Sequence, residues 1–188
     1  MNIAVIDTET NYRNEVISIG VVIARMDDFT ILLKRYYVIS PECDYPSMYA
    51  SSLYLKEAMS YLYKKKKVER YEAIDDLIDL LHAYRIVSIF AYNAAFDMNC
   101  LYELYAYNWY DILKCAAYKQ TNPYISDSMP CFKTGRLKTG YGVEKMVQMM
   151  TGDLTYRETH NGLLDAIDEF TIMKYLNYQI DGYRHTLV

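Results

Sequence analysis

The chain has 188 residues, of which 52% are hydrophobic and 23% are charged, and its formal net charge is −4. This is an ordinary globular composition, and the length favours a single domain over residues 1–188. The negative charge excludes a global attraction to nucleic acid, so any such contact has to be local. The chain contains no run of about 18 apolar residues, which predicts no transmembrane helix and no membrane partner.

The chain begins with a short apolar stretch, Asn2 to Thr10, that contains two acids near its end. Its β-branched residues predict a buried strand, in which side chains two positions apart face the same way. Asp7 and Glu9 therefore share a face, and two carboxylates 4 Å apart repel by roughly 4 kcal/mol at an effective dielectric constant of about 20. A divalent cation would relieve this repulsion, although a solvated strand end followed by an acidic turn explains the same pattern.

The next segments predict two more strands, from Val16 to Ala24 and from Thr30 to Ile39, in an antiparallel meander with the first strand. Ser51 to Tyr63 favours a helix. The four lysines from Lys64 to Lys67 are interpreted as a solvated turn. Apolar residues recur at helical spacing from Tyr71 to Tyr84, which predicts an amphipathic helix.

A buried strand is predicted from Arg85 to Tyr92, followed by Asn93 as a helix N-cap and a helix from Ala94 to about Tyr107. Asp97 would then lie just beyond the carboxyl end of a strand. In open α/β sheets this edge is where ligands bind. A favourable charge near the positive end of a helix is the alternative explanation for Asp97.

Trp109 to Leu113 predicts a short strand that contains Asp111, and Tyr141 to Met150 predicts a short helix. The segment between them, Gln120 to Gly140, is a long loop of the kind that is often functional. It carries a basic cluster whose members are candidates for contacts with a nucleic-acid backbone: Lys133, Arg136 and Lys138.

The last predicted helix extends to about Tyr178, and a histidine and an aspartate lie near its start. His160 and Asp165 are five positions apart, which places them about 140° apart around a helix, so they cannot share a helical face. They converge only if His160 lies on the loop before the helix and Asp165 lies within it. A capping-region histidine and a surface aspartate are the alternative interpretation.

Taken together, these acids and the histidine resemble the DEDDh exonucleases of the ribonuclease H-like fold, in the proofreading-subunit group. Three motifs carry the resemblance in order and spacing: Val5 to Thr10, Tyr92 to Asp97, and His160 to Ala166. Asp111 matches a further aspartate of the family. The resemblance implies an α/β fold with a mixed sheet, in which the first three strands are antiparallel and the later ones parallel, flanked by helices.

The chain departs from the family's pattern at three places. Asn11 and Tyr12 follow the first motif where Thr-Gly is common, and Tyr92 stands where histidine is common. The His-Gly-Ile-Thr segment that is common after the third strand has no match. These differences concern how terminal nucleotides are held more than the metal chemistry. Tyrosine-type relatives carry tyrosine where this chain has Asn161, so His160 favours the histidine type.

The resemblance implies a 3′-5′ exonuclease that hydrolyses single-stranded nucleic acid, with DNA favoured and RNA possible, and releases nucleoside monophosphates. It implies two divalent cations, Mg²⁺ or Mn²⁺, about 3.5–4 Å apart, and His160 as the general base. The implied metal ligands are Asp7, Glu9, Asp97 and Asp165. Expected substrate contacts, besides the basic cluster, are Thr8, Thr10, Asn93 and Phe96.

Two other functions remain open. A catalytically silent nucleic-acid-binding module could have the same fold, but retention of all five acid and base residues argues against it. A haloacid-dehalogenase-like phosphatase also has a strand-end aspartate, but Glu9 replaces its second aspartate and His160 would have no role.

The cellular context is predicted more coarsely. The four cysteines are far apart and form no CxxC pair, which argues against a zinc site and is typical of reduced thiols. The N-terminal stretch has no signal-peptide pattern, so we expect a cytoplasmic protein. A role in DNA repair or proofreading and a DNA polymerase partner are further expectations. The sequence does not indicate an oligomeric state.

Overall fold

The computed structural model describes residues 1–64 and 66–188. Six strands form its sheet: β1 (Asn2–Thr10), β2 (Val16–Arg25), β3 (Ile31–Ser40), β4 (Val68–Glu69), β5 (Ser88–Ala91) and β6 (Asn108–Asp111). Their order across the sheet is β4-β3-β2-β1-β5-β6. Strand β1 is therefore central, with partners on both sides.

The pairing confirms the predicted mixed sheet. Strands β1, β2 and β3 are antiparallel to one another, whereas β5 pairs parallel with β1 and β6 pairs parallel with β5. The one addition is β4, which pairs parallel with the end of β3. A strand of two residues is too short to leave a periodic pattern in the sequence.

Seven α-helices are present among the described residues: α1 (Lys56–Met59), α2 (Arg70–Ala83), α3 (Ala95–Cys100), α4 (Leu113–Ala116), α5 (Val143–Thr151), α6 (Gly162–Leu176) and α7 (Ile180–Tyr183). Single 3₁₀ turns occur at Glu42–Asp44, Ala50–Ser52, Tyr102–Leu104 and Arg184–Thr186. Within the described part of the chain, none of the helices has the length and apolar character needed to cross a bilayer.

Two hydrophobic layers cover the two faces of the sheet, and β1 contributes to both by strict alternation. Ile3 and Val5 pack into the layer that contains α5 and α6, whereas Ala4 and Ile6 pack into the layer that contains α2. Continuing the alternation directs Asp7 and Glu9 towards the α6 face. The predicted shared face of these two acids follows from this pattern.

The helix predicted from Ser51 to Tyr63 is mostly wrong. Only the 3₁₀ turn Ala50–Ser52 and the four-residue helix α1 form there. The end of the segment instead pairs with β3, since the Tyr36 N–H donates to the Tyr61 carbonyl and the Tyr63 N–H donates to the Tyr36 carbonyl, both at 2.9 Å. Because these backbone groups form hydrogen bonds with β3, they are not available for the hydrogen bonds of a helix.

The helix predicted from Ala94 to Tyr107 is also shorter in the structure. Helix α3 ends at Cys100 because Leu101 leaves the helical region, with φ −118° and ψ 56°. The predicted N-cap role of Asn93 is wrong as well. Asn93 has a positive φ of 64°, and helix α3 has no side-chain cap. Asparagine tolerates this left-handed conformation better than most residues, so it serves a turn here.

Asp111 fixes that turn from the neighbouring strand. Its Oδ1 accepts hydrogen bonds from the backbone N–H groups of Asn93 and Leu113, both at 3.0 Å. Burial raises the pKa of Asp111, while the two N–H groups act to lower it. The aspartate that matches the family pattern therefore holds the backbone between β5 and α3.

The long loop from 120 to 140, all of whose residues are described, contains no helix or strand, as predicted. Isolated bridges join Tyr118 to Arg136 and Cys131 to Leu137. All four cysteines are free thiols. In the run of four lysines, Lys65 lies outside the described residues, and Lys67 forms an ion pair with Asp44.

Candidate active site

A cavity of about 470 Å³ opens at the carboxyl end of β1. The side chains that line it come from β1, the turn before α3, the loop after β3 and the start of α6. All five predicted acid and base residues are among them: Asp7, Glu9, Asp97, His160 and Asp165. Three stretches that are remote in sequence thus meet at one edge of the sheet.

Two glycines allow the start of α6 to lie directly on β1 and β2. Gly20 pairs with Asp7 in the β1–β2 ladder, and a Cβ atom at Gly20 would lie 2.1 Å from the backbone of Gly162. A Cβ atom at Gly162 would in turn lie 3.2 Å from the Asp7 carbonyl oxygen. This close backbone contact brings Asp165, one turn into α6, next to the acids of β1.

Asn161 is the N-cap of α6 and anchors the start of that helix to the rest of the molecule. Its Oδ1 accepts from the backbone N–H groups of Leu163 at 3.2 Å and Leu164 at 3.3 Å. Its Nδ2 donates to the Tyr36 hydroxyl at 3.0 Å and to the Ser52 carbonyl at 2.7 Å. Asparagine is a preferred N-cap, so the capping role was open to sequence reasoning, whereas the anchoring contacts were not.

His160 precedes this cap and lies on the loop, as the spacing argument required. Its φ of 52° is left-handed, and its ring stacks on that of Tyr49, with centroids 4.1 Å apart and planes at 21°. One potential metal-ligating atom from each of Glu9, His160 and Asp165 lies within 4.8 Å of the others. Tyr49, in the loop after β3, left no signal in the sequence.

Asp97 is buried at the start of α3 and is held by the first motif. Its Oδ1 accepts from the Thr8 backbone N–H at 2.9 Å and from the Thr8 hydroxyl at 2.7 Å. Thr8 was predicted to contact substrate. It lines the cavity, but its hydrogen bonds go to Asp97, so its visible effect is to fix that carboxylate.

Burial controls the electrostatics of the site. It raises the pKa of Glu9 and of Asp97 to about 7, and that of Asp165 to about 9. The pKa of Asp7 also lies well above its usual range, first because of burial and then because of neighbouring carboxylates. The cavity therefore contains several acids whose charged forms are costly without a nearby positive charge.

The donor set fits a divalent cation. Among the described residues, Asp7 Oδ2 and Asp165 Oδ1 are buried and have no hydrogen-bond partner. Buried polar atoms are normally paired, so two such carboxylate oxygens facing one cavity need an explanation. Carboxylate oxygens are suitable ligands for Mg²⁺ or Mn²⁺, and an ion would satisfy both atoms.

Some of the predicted substrate-contact residues line the cavity, and the others lie outside it. Thr10, Asn93 and Phe96 line the cavity with Thr8, and the Phe96 side chain is 44% exposed. The basic cluster is not part of the lining. The Arg136 guanidinium lies 4.6 Å from the centroid of the Tyr141 ring, and the Lys138 ammonium lies 5.8 Å from that of Phe132. Lining residues that sequence reasoning did not single out are Asn14, Met48, Tyr49 and Glu158.

Solved structures share this fold. One, a 3′-exonuclease described by its 3′-end-specific recognition of the histone mRNA stem-loop, superposes with a TM-score of 0.64 and 18% identity over 94% of this chain and 63% of its own. The nuclease domain of 3′hExo, a DEDDh family member bound to rAMP, superposes with a TM-score of 0.61 and 16% identity over 100% of this chain and 96% of its own. This chain has the fold of the DEDDh 3′-exonucleases.

That ribonuclease H-like fold recurs in E. coli exonuclease I in complex with a dA16 oligonucleotide, at a TM-score of 0.61 and 15% identity over 98% of this chain and 42% of that protein. The chain spans less than two thirds of the length of the 3′-exonuclease that recognises the histone mRNA stem-loop. No protein-family model and no curated protein matches the sequence. The shared fold gives no support to a haloacid-dehalogenase-like phosphatase.

Proposed function

We propose that this chain is a metal-dependent 3′-5′ exonuclease that hydrolyses phosphodiester bonds of single-stranded nucleic acid. The observation that carries the proposal is the joint placement of four carboxylates and one histidine around a single cavity. Two of these carboxylates have buried oxygens without partners, as a cation site requires. The fold shared with 3′-exonucleases supports the same assignment.

The residues that would hold two Mg²⁺ or Mn²⁺ ions are Asp7, Glu9, Asp97 and Asp165. Such a pair, when bound, stabilises the attacking and leaving oxygens of an in-line displacement. Asp7 is on the central strand, and its backbone carbonyl lies against the start of α6 at Gly162. Thr8 keeps Asp97 in a fixed orientation through two hydrogen bonds.

His160 is the proposed general base. It accepts the proton of the attacking water at a ring nitrogen, since histidine is the side chain best suited to proton transfer near neutral pH. The stack on Tyr49 restricts the orientation of its ring. Its position on a loop, outside α6, allows small movements of the ring when a 3′ end enters the cavity.

The cavity mouth has the character of a site for unpaired bases. Phe96, Tyr12 and Met48 line it and expose apolar surface. Aromatic side chains bind the faces of bases without strong sequence preference. We favour DNA as the substrate, with RNA possible, and a contact to the 2′-hydroxyl would be what separates the two.

Several finer roles are proposals that rest on this activity. They comprise a function in DNA repair or proofreading, a DNA polymerase partner and a cytoplasmic location. Backbone contacts by Lys133, Arg136 and Lys138 belong to the same group, since these residues lie outside the cavity lining. If they bind phosphates, affinity for oligonucleotides should decrease with salt.

The test is degradation of matched 3′-labelled and 5′-labelled single-stranded DNA and RNA with Mg²⁺, with Mn²⁺ and with EDTA. We expect release of mononucleotides from the 3′ end only when metal is present. The variants Asp7→Asn and His160→Ala should both lose it. No cleavage of either polymer with either metal would overturn the proposal and favour a catalytically silent nucleic-acid-binding module.

A further inference from the structure

Two cationic side chains near the cavity lie on the faces of tyrosine rings. The Arg13 guanidinium is 4.3 Å from the centroid of the Tyr45 ring, and the Lys66 ammonium is 4.3 Å from that of Tyr54. Both cations are exposed, and both tyrosines are partly exposed. These four residues, the cation–ring surface, have no part in the metal site or in the proton transfer proposed above.

The first pair borders the mouth of the cavity. Tyr12 lines the cavity, and its backbone N–H donates to the Pro46 carbonyl at 3.1 Å. Arg13 follows Tyr12 in the chain, and Tyr45 precedes Pro46. The hydrogen bond therefore holds the Arg13–Tyr45 pair beside the cavity.

The second pair continues from the first across the same surface. Asp44 and Lys67 form an ion pair. Asp44 precedes Tyr45, and Lys67 follows Lys66, so this ion pair brings the two cation–ring pairs together. A polymer that leaves the cavity on the Tyr12 side meets first one pair and then the other.

The two cations keep their charge at this surface. Among residues 1–64 and 66–188, neither Arg13 nor Lys66 forms an ion pair. A tyrosine ring attracts a cation through its quadrupole but has no net charge, so each cation–ring pair remains positive. The segment 41–67 has five lysines and three acids, in a chain whose net charge is −4. The surface thus provides a local attraction for an anion that the whole chain does not provide.

Positive charges beside partly exposed rings match the chemistry of single-stranded nucleic acid. Its phosphates bind lysine and arginine, and its unpaired bases stack on aromatic side chains. The ring also restricts the cation that lies on it, so less conformational entropy is lost when a phosphate binds.

We propose that the cation–ring surface binds the nucleotides upstream of the 3′ end of a single-stranded substrate, so that the chain binds long single strands more tightly than short ones. The inference rests on the proposed exonuclease function. It adds the path along which the uncleaved part of the strand leaves the cavity, and it assigns phosphate contacts to Arg13 and Lys66 and base contacts to Tyr45 and Tyr54.

Binding as a function of strand length tests this path. Oligothymidylates of about 3 and about 12 nucleotides, below and within the size range of single-strand binding sites, carry a 5′ fluorophore. Their fluorescence anisotropy is measured in EDTA, where a metal-dependent nuclease leaves them intact. We expect the 12-mer to bind more tightly than the 3-mer, and the double variant Arg13→Gln/Lys66→Gln to lose this difference. An unaltered chain that binds both lengths equally, or neither, would overturn the inference.

The salt dependence gives the expected magnitude. Each phosphate contact with a single strand contributes about 0.7 to the slope of log affinity against log salt concentration. Loss of two contacts lowers this slope by about 1.4. Raising salt from about 50 mM to about 200 mM should therefore weaken 12-mer binding about 7-fold more in the unaltered chain than in the double variant.

Two matched variants separate this surface from the total charge of the chain. Arg85→Gln/Lys174→Gln removes the same two charges from exposed positions outside the cavity lining and should bind both strands as the unaltered chain does. Arg13→Lys/Lys66→Arg keeps the charges and should keep the length preference. Equal effects of the two charge-removing pairs, or equal weakening of 3-mer and 12-mer binding by Arg13→Gln/Lys66→Gln, would contradict the proposed path.

The rings are tested with a 12-mer that has abasic sites in place of its upstream bases. It should bind more weakly than the intact 12-mer, because the phosphates remain but no base can stack. Equal binding of the two strands would overturn the base contacts assigned to Tyr45 and Tyr54.

The outcome does not depend on whether the protein cleaves nucleic acid, since binding is measured without metal. A chain that degrades oligonucleotides with Mg²⁺, but whose 12-mer binding is unchanged by Arg13→Gln/Lys66→Gln, would overturn this inference and leave the proposed function standing. A length preference that is lost in the double variant, in a protein that cleaves nothing, would do the reverse.

Discussion

Carboxylates on the two faces of the sheet have opposite surroundings. On the α2 face, Asp76 Oδ2 accepts a hydrogen bond of 2.8 Å from the Tyr37 hydroxyl. The same oxygen lies 3.4 Å from the Arg35 guanidinium, with which it forms an ion pair. On the α6 face, Asp165 is buried, and its Oδ1 has no partner among the described residues. Both acids belong to helices packed on the same sheet, so the difference lies in what the chain supplies around them.

The chain pairs Asp76 on the α2 face, whereas Asp7 and Asp165 on the α6 face each have a buried carboxylate oxygen without a partner among the described residues. A second example on the α2 side is Glu103, whose two carboxylate oxygens each accept from the Arg70 guanidinium at 2.9 Å. Around Asp7 and Asp165 the neighbouring charges that act on the carboxyls are acidic. This contrast supports the proposed cation site on the α6 face.

The largest effects should come from two separate variants, each of which removes the charge of one carboxylate on one face of the sheet. Asp165→Asn removes a proposed metal ligand, and loss of several kcal/mol of transition-state stabilisation lowers kcat by on the order of 10³-fold. Asp76→Asn leaves the Arg35 charge without its partner and should lower stability by about 1–3 kcal/mol. Initial rates on a 3′-labelled oligonucleotide and urea unfolding of both variants measure the two effects.

The contrast between the two variants is the informative result. Asp76→Asn should keep its activity per folded molecule, and Asp165→Asn should keep or gain stability in EDTA. Equal losses of activity in both variants would show that the two faces do not differ in function.

The second largest effect concerns the contact that brings α6 onto β1. Gly20→Ala places a Cβ atom 2.1 Å from the Gly162 backbone, so the helix must move. Overpacking typically costs about 1–3 kcal/mol, and backbone cannot yield as a side chain can. We expect a lower melting temperature and weaker Mn²⁺ binding, measured by thermal unfolding and by titration.

Gly142→Ala is the matched control, since a Cβ atom there meets no atom within 4 Å and its φ of −74° suits alanine. It should leave both quantities unchanged. If Gly20→Ala bound Mn²⁺ as tightly as the unaltered chain, the close contact would not be what places Asp165.

The parts of the site that the sequence predicted depend on short-range geometry. Asp7 and Glu9 share a face because strand side chains alternate, and the apolar residues before them identify the strand. His160 and Asp165 converge because one precedes the helix and the other lies in its first turn. These relations need only the local period of the backbone.

The parts that were missed depend on contacts between segments that are far apart. Asn161 donates to the hydroxyl of Tyr36, 125 positions earlier, and no local pattern indicates that pairing. The predicted helix up to Tyr63 fails for the same reason, since its last residues pair with β3. The stack of Tyr49 on His160 joins the loop after β3 to the loop before α6. Tertiary contacts override local preference in each case.

A smaller effect should appear as a pH dependence of stability. The folded protein holds protons on Glu9 and Asp97 up to about pH 7 and on Asp165 up to about pH 9, because burial raises each pKa. The unfolded chain loses these protons near pH 4. More protons are bound in the folded state across that window, so the free energy of unfolding in EDTA decreases as pH rises from about 4 to about 9.

A divalent cation competes with these protons and binds best when they are absent, so saturating Mg²⁺ should oppose the decline. Melting temperatures are measured from pH 5 to pH 9, once in EDTA and once in saturating Mg²⁺. At the alkaline end we expect the melting temperature in Mg²⁺ to be several degrees higher than in EDTA. Asp165→Asn should have a shallower slope in EDTA. Melting temperatures that decrease equally with pH in Mg²⁺ and in EDTA would contradict the assignment of these acids to a cation site.

The smallest effect should come from Tyr49, which orients His160 without touching the reacting atoms. An aromatic pair contributes about 0.5–1.5 kcal/mol beyond area burial, so Tyr49→Ala should lower kcat by about 2- to 12-fold. Tyr49→Phe keeps the ring and should keep the rate, which separates the stack from any effect of the hydroxyl. Because the contact acts on the base and not on the metal ligands, Mn²⁺ affinity should be the same in all three proteins. A Tyr49→Ala variant with weakened Mn²⁺ binding would instead place Tyr49 among the groups that shape the carboxylate cluster.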